Sequence, residues 1–377
     1  MKLGIYIQVP FCQTKCTYCN FHTGVFASSL YEPYVAAVCW ELGQRAKHWN
    51  TAVVDTAYIG GGTPSLLEPA ALAEILNTLR CGFACRLEEV TLEADPETVT
   101  VAKAAAWRAA GIDRVSLGVQ SFHDAELAAA GRMHRRPDVF AAVERLRGAG
   151  FTHLSFDLIA GLPRQTAATW NDSLESLIAL RPEHASVYLL EIDEGSRLGR
   201  EVLAGGRRYS AELLPDDDAG ADFYERACER LAATGYEHYE ISNWARPGRR
   251  SRHNLKYWTR QPYLGIGAGA HSFDGRARWA NPHDPAAYVA AIQTGRLPAE
   301  QAEVVSARQA LEEELFLGLR QLEGIDLARI EQQYNASLRE RVENLRAQGL
   351  VEFDGTRLRL NPARLTVANE VFVELLG

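Results

Sequence analysis

The sequence predicts an α/β fold: a partial, TIM-like (β/α)6 barrel followed by a C-terminal helical, winged-helix-like domain. Three observations predict it. Short apolar runs of strand length alternate with helical patterns over the first two-thirds of the chain. Most of these runs end in a polar residue or a glycine-rich motif, and a (β/α) barrel builds its site from the C-terminal ends of several strands. The last part of the chain breaks this rhythm and reads as helices around two short strands.

The strand-like runs are Leu3–Val9, Val53–Ile59, Glu88–Glu93, Arg114–Val119, His153–Leu158 and Ala185–Glu191. Helices are expected between them. In Tyr31–Trp49 the residues Tyr34, Val35, Val38, Leu42 and Ala46 recur at helical spacing. Ala70–Leu79, Ala102–Ala110, Val139–Ala149 and Ala168–Leu180 follow, with Gly111 and Gly150 as C-terminal stops. Pro215-Asp216-Asp217-Asp218 reads as a helix N-terminus, where carboxylates meet the dipole. The barrel is expected over 1–245, and an irregular connecting segment over 246–300. The winged-helix-like domain is expected over 301–377. Its helices are Val304–Leu322, Leu327–Tyr334, Leu338–Gln348 and Leu365–Leu376, with strands at Leu350–Phe353 and Arg357–Leu360. Such modules often bind DNA, but Arg339, Glu340, Arg341, Glu343 and Arg346 form a mixed-sign, solvated face.

The chain has 377 residues, 47% hydrophobic and 23% charged, enough for a sizeable core. A net charge of −8 argues against a general nucleic-acid or anionic-membrane binder. Seven cysteines show no disulfide-framework spacing, and no apolar run approaches the roughly 20 residues of a membrane span. The N-terminal residues run straight into a cysteine loop, so a cytoplasmic, reducing setting is expected.

Cys12, Cys16 and Cys19 carry the chemistry. Their C-x3-C-x2-C loop also holds Gln13, Thr14, Lys15, Thr17 and Asn20, too polar for a core. Three thiolates can each ligate one iron of a cubane 4Fe–4S cluster, leaving the fourth iron open. Gly60-Gly61-Gly62-Thr63-Pro64 follows a strand and lets a bound molecule approach the backbone. It is neither a G-x-G-x-x-G fingerprint nor a Walker motif. Cys81 and Cys85 lack a third partner in sequence, and Cys39 and Cys228 lie on amphipathic helices, so packed or free thiols are expected.

The cysteine loop, Gly60–Ser65, Leu92-Glu93-Ala94-Asp95-Pro96, Ser116–Phe122 and Asp157–Pro163 resemble the coproporphyrinogen-dehydrogenase-like branch of radical SAM proteins. The resemblance implies a radical SAM barrel holding a 4Fe–4S cluster on Cys12, Cys16 and Cys19. It also implies an S-adenosylmethionine (SAM) site lined by Tyr6, Tyr18, Gly61, Gly62, Thr63, Glu93, Gln120, Arg132 and Asp157. Within that branch, the dehydrogenase has a further cysteine two residues after the triad, where this chain has Phe21. It also has a long extension before the triad.

Both differences, with His253-Asn254-Leu255-Lys256-Tyr257-Trp258, are similar to the HemW-type heme chaperones. That resemblance implies heme bound by His253, Asn254, Tyr257 and Trp258. An imidazole is a standard axial ligand for heme iron, the aromatic residues can stack on the macrocycle, and Arg249, Arg250 and Arg252 can meet propionates. Gly265–Ser272, which includes His271, also resembles the family and suggests tight backbone packing. The expected partners are heme, apo-hemoprotein clients such as respiratory proteins, and a flavodoxin- or ferredoxin-type electron donor. A homodimer and a peripheral membrane contact stay open. The competing function is oxygen-independent coproporphyrinogen III dehydrogenase, a radical oxidative decarboxylation.

Overall fold

In the computed structural model, which describes residues 1–298 and 302–376, the alternation resolves into six parallel strands in sequential order. They are β1 (Lys2–Val9), β2 (Val53–Gly61), β3 (Ala84–Ala94), β4 (Arg114–Gln120), β5 (His153–Ala160) and β6 (His184–Leu189). The connections carry α1 (Tyr31–His48), α2 (Pro69–Gly82), α3 (Val101–Ala109), α4 (Asp124–Ala129), α5 (Arg136–Gly148) and α6 (Ala167–Leu180). All six expected strands and five expected helices are present.

Period-two alternation decides what the barrel encloses. Leu3, Ile5, Ile7 and Val9 on β1, and Leu154, Phe156 and Leu158 on β5, are fully buried in one apolar cluster with helix residues such as Val38, Leu42, Leu72 and Leu76. The intervening positions are mostly polar: Tyr6 and Gln8, Thr56 and Tyr58, Thr91 and Glu93, Arg114 and Ser116, Ser155 and Asp157, His184 and Ser186. The main core therefore lies between sheet and helices, while the lumen is polar and hydrogen-bonded. That differs from a filled TIM barrel, whose interior is dominated by branched apolar residues.

After β6 come α7 (Arg197–Leu203) and α8 (Asp217–Ala233). The Asp216 carboxylate caps α8 by accepting from the Ala219 N–H at 2.9 Å, as the acidic run suggested. A hairpin of β7 (Glu237–Glu240) and β8 (Asn243–Ala245) closes one sheet edge, with β8 antiparallel to β6.

The stretch expected to be an irregular connection is instead built of regular elements. It holds α9 (Arg252–Trp258), β9 (Tyr263–Ile266), β10 (His271–Phe273), β11 (Ala277–Ala280) and α10 (Pro285–Gln293). β9 pairs in parallel with β1, and β10, β11 and β12 (Glu303–Val304) extend that edge antiparallel. These strands are two to four residues long, with Gly265, Gly267, Gly269 and Gly275 in and between them, too short for periodicity to register. The expected boundary at 300–301 lies outside the described residues.

The C-terminal unit comprises α11 (Ala307–Leu319), β13 (Ile325–Asp326), α12 (Leu327–Tyr334), α13 (Arg339–Ala347), β14 (Val351–Phe353), β15 (Arg357–Leu360) and α14 (Ala368–Leu376). Its three-stranded sheet runs β13-β15-β14, and the two-residue β13 escapes sequence reading. It docks on the barrel through charged contacts. Glu313 bridges Arg260 at 2.9 Å and Arg278 at 2.8 Å, and Glu323 meets Arg250 at 2.7 Å.

Candidate functional site

A cavity of about 420 Å³ opens at the C-terminal ends of the parallel strands. Cys12, Cys16 and Cys19 line it, on the loop between β1 and α1. Tyr18, Gly61, Gly62, Thr63, Glu93, Gln120, Arg132 and Asp157 line the same space. Eight of the nine residues expected at a SAM site are thus brought together with the three thiols.

Tyr6 is the exception. It lies deeper in the lumen, its hydroxyl donating to Gln8 at 2.7 Å and its ring stacked 6.0 Å from Tyr58. Its place on β1, three residues before the strand's end, puts it below the cavity floor.

The backbone is fitted to the thiol loop. A Cβ on Gly62 would lie 2.5 Å from the Phe11 carbonyl oxygen and 2.9 Å from Cys12 Sγ, so only glycine admits the loop there. The Thr63 N–H donates to the same Phe11 carbonyl at 2.7 Å, and Gly62 N–H donates to Val9 at 2.8 Å. Burial raises the Cys12 thiol to about 11, with Cys19, Asp95 and Cys16 adding to the rise. A buried thiol of that kind ionises when a cation takes the sulfur.

Among the described residues, no group of three His, Cys, Asp or Glu side chains is spaced to hold a single ion. The triad instead spreads its thiols around a cavity wall, which suits a cubane whose irons take one thiolate each. Arg132 supports the same fit. One guanidinium nitrogen donates to Cys16 Sγ at 3.5 Å, the other donates to Asp95 and to the Gly118 carbonyl at 2.8 Å, and Nε is buried without a partner.

Glu93 forms the acidic floor. Its carboxylate accepts from the Tyr58 hydroxyl at 2.8 Å and from the Gly61 N–H at 2.9 Å. Burial, reinforced by Asp157 and Asp95, raises its pKa to about 7. Asp157 accepts from Ser116 at 3.2 Å and is likewise raised, chiefly by burial. Gln120 ends β4 with φ +62°, a left-handed conformation that non-glycine residues seldom adopt.

Asp95 is the residue that sequence reasoning passed over. It accepts from the Thr63 hydroxyl at 3.0 Å and pairs with Arg132, so it locks two expected cofactor contacts in place. The signal was its i, i+2 relation to Glu93 at the end of β3, which points both acids the same way. Met133, Tyr188 and Leu189 also reach the cavity mouth, exposed at 49%, 42% and 36%. Phe21, 67% exposed, stands beside them.

His253, Asn254, Tyr257 and Trp258 lie at the opposite, N-terminal end of the strands. They sit on α9, which plugs the bottom of the barrel. Glu89 accepts from the Arg252 and His253 N–H groups, both at 3.0 Å, and Lys256 pairs with Asp55 at 2.7 Å. His253 is 1% exposed. Its Nδ1 bonds the Thr56 hydroxyl at 2.9 Å and its Nε2 the Tyr257 hydroxyl at 2.9 Å.

Both His253 nitrogens are thus hydrogen-bonded to hydroxyl groups inside the barrel. Burial, with Lys256 and Arg114 nearby, lowers its pKa to about 3, keeping the ring neutral. Tyr257 stacks edge-on to His253 at 5.2 Å, and Trp258 lies beneath Arg320 of the C-terminal unit at 4.6 Å. Asn254 is half-buried on the same helix.

Comparison with known proteins agrees with this architecture. Residues 6–177 match the radical SAM superfamily, and residues 305–363 match the HemN C-terminal domain. The chain is 37% identical to the heme chaperone HemW of Mycobacterium tuberculosis (strain H37Rv), covering 99% of this chain and 95% of that protein. It is 33% identical to the heme chaperone HemW of Bacillus subtilis, covering 99% and 98%. Coproporphyrinogen III oxidase (HemN) from Escherichia coli shares the fold, with TM-score 0.85 and 23% identity over 99% of this chain and 89% of that one. The chain therefore belongs to the HemW heme chaperone family within the radical SAM superfamily.

Proposed function

We propose that this protein is a heme chaperone that binds heme and passes it to apo-hemoproteins, keeping a 4Fe–4S cluster on Cys12, Cys16 and Cys19 and a SAM site beside it. The observation that carries the reading is likeness, over nearly the full length, to two HemW heme chaperones. Phe21 adds to it, placing an apolar ring at the cavity mouth. When bound, such a cluster supplies electron transfer and an open iron for a ligand.

The chain's own residues do the positioning. Gly61 and Gly62 leave room along the backbone, and Glu93 offers a carboxylate to ribose hydroxyls, as acids do in dinucleotide sites. Arg132 holds Asp95 and faces the thiol loop with positive charge. Among the described residues, no helix is long and apolar enough to cross a membrane. The expected cytoplasmic setting, the electron donor, the homodimer and the peripheral membrane contact belong to the same proposal.

The test is anaerobic. Cluster-reconstituted protein is titrated with hemin and, separately, incubated with coproporphyrinogen III, SAM and reductant. Stoichiometric hemin binding without protoporphyrinogen formation is expected. Turnover to protoporphyrinogen without hemin binding makes the protein a dehydrogenase instead.

A further inference from the structure

The thiol loop is braced from outside by α7. Leu198 N–H donates to the Thr17 carbonyl at 2.7 Å, and Arg197 donates to the carbonyl of Lys15, the residue before Cys16. One hydrogen bond therefore joins the backbone of α7 to the stretch between Cys16 and Cys19. A molecule seated in the cavity covers the inner side of the loop. An electron bound for the cluster then crosses the outer side, where α7 lies between the loop and solvent. We propose that the outer face of α7, with the turn that follows it, is the docking surface for a small acidic one-electron donor of the flavodoxin type. The inference rests on the cluster and electron donor of the proposed function and adds the place of contact.

Arg200, Leu203 and Ala204 on this face, and Arg207 and Arg208 just beyond it, are exposed. Leu203 is 66% exposed, and Leu213, at the end of the turn Arg208–Leu213, is 43% exposed. Arg164, also exposed, joins them. Its N–H donates to the Leu213 carbonyl at 2.8 Å and its Nε to the Ser210 hydroxyl at 3.0 Å. Apolar side chains rimmed by arginine have the composition of a protein interface.

Charge selects the partner. Between 194 and 213, with Arg164 added, four exposed arginines stand against two exposed glutamates, Glu194 and Glu212. The third acid of the stretch, Glu201, accepts from the Arg208 N–H at 3.0 Å. The chain as a whole carries a net charge of −8. An acidic protein is thus repelled by the molecule at large and drawn to this face, which orients the encounter as well as speeding it.

The surface is held in one shape. Arg164, Tyr209 and Ser210 have φ of +72°, +61° and +57°, three of the seven left-handed non-glycine residues among those described. Such conformations persist where neighbours fix them. Arg197 lies over the Tyr209 ring, 5.4 Å from its centroid, and the same guanidinium donates to Lys15 on the thiol loop. The patch and the loop are therefore one piece. One electron passes from the reduced flavin of the donor to the cluster. The flavin is oxidised by one electron, the cluster is reduced by one, and no bond forms or breaks.

The test uses the full-length protein as wild type, Arg207→Glu/Arg208→Glu, Arg207→Gln/Arg208→Gln and Leu203→Ser, with Arg346→Glu on the exposed side of α13 as a charge control. Reduced flavodoxin is mixed anaerobically with each cluster-reconstituted protein, bleaching of the cluster is followed by stopped flow, and dithionite serves as the small reductant. Binding of oxidised flavodoxin to the cluster-free proteins is measured by calorimetry. Reversing the arginine pair is expected to weaken this binding and slow reduction by flavodoxin about tenfold or more, with reduction by dithionite unchanged. Leu203→Ser moves both in the same direction. The wild-type rate should fall steeply between about 0.05 M and about 0.5 M salt. Damage to the cluster by charge reversal shows as slowed reduction by dithionite, and the glutamine pair is then read in its place. A wild type that flavodoxin does not reduce, wild-type rates in the arginine-pair variants, equal slowing by Arg346→Glu, or indifference to salt each overturns the surface. Hemin titration of the same wild type keeps the two readings apart: absence of hemin binding overturns the chaperone reading and leaves this surface standing.

Discussion

His253 packs its ring 5.3 Å from that of Tyr58, and Tyr58 in turn donates its hydroxyl to Glu93 at the cavity floor. A column of contacts thus runs the length of the lumen, from the plugging helix at one end to the cofactor cavity at the other. The histidine motif and the cysteine motif, 234 positions apart between Cys19 and His253, act on one interior.

Removing the plug's central ring should be felt at the far end. His253→Ala leaves the Thr56 and Tyr257 hydroxyls without their partner and opens a cavity beside Tyr58. A loss of about 2–4 kcal/mol in unfolding free energy is expected. SAM binding should weaken as Tyr58 and Glu93 loosen. Urea denaturation and calorimetric SAM titration measure the two effects.

The neutral state of His253 also sets a pH dependence. Its folded pKa, about 3, lies below the ordinary 6.5, so the unfolded chain binds a proton that the folded chain refuses. Its contribution to stability is present above pH 6.5 and falls away as pH drops toward 3. His253→Gln removes this slope, read as a flatter plot of unfolding free energy against pH.

Glu93 works in the opposite sense. Its folded pKa of about 7 exceeds the ordinary 4.5, so the folded protein keeps a proton that the unfolded chain has released. Stability from this group falls as pH rises from 4.5 through 7. Glu93→Gln should therefore be more stable than wild type at about pH 8 and bind SAM about tenfold more weakly there, having lost the ionised acceptor. Denaturation and SAM titration at about pH 6 and pH 8 separate the two effects.

Arg132 touches Cys16, Asp95 and Gly118 together, a task for a fork of donors that a single ammonium cannot copy. Arg132→Lys should fold, lose iron faster in air and bind SAM about tenfold more weakly. Iron content over time and SAM titration are the measurements.

Glu41 is the buried anchor of the Gly267–Gly269 corner. Glu41→Leu leaves Arg45, Asn281 and Tyr288 without their acceptor, and a loss of about 3–5 kcal/mol is expected. Denaturation monitors the loss.

Much of this was legible in the sequence. Six strands, their helices and the C-terminal module follow from periodicity, and the cavity from what stands at the strand ends. Glu93, Gln120 and Asp157 were legible as polar residues at strand ends, whereas grouping them with Tyr6 came from the resemblance, and the depth of Tyr6 was not legible. The short strands between Tyr263 and Ala280 were not legible, because pairing rather than pattern makes them. Nor was the burial of His253, since Glu89 and Thr56, which hold its helix and its ring, lie more than a hundred residues away.

The central claim is that heme is carried and handed over. The direct measurement is anaerobic mixing of the heme-loaded, cluster-reconstituted protein with an apo-hemoprotein, following the Soret band and the client's heme content after separation. The account predicts transfer from chaperone to client, with the cluster absorbance unchanged. Heme that stays on this protein, or that reaches the client no faster than free hemin does, contradicts it.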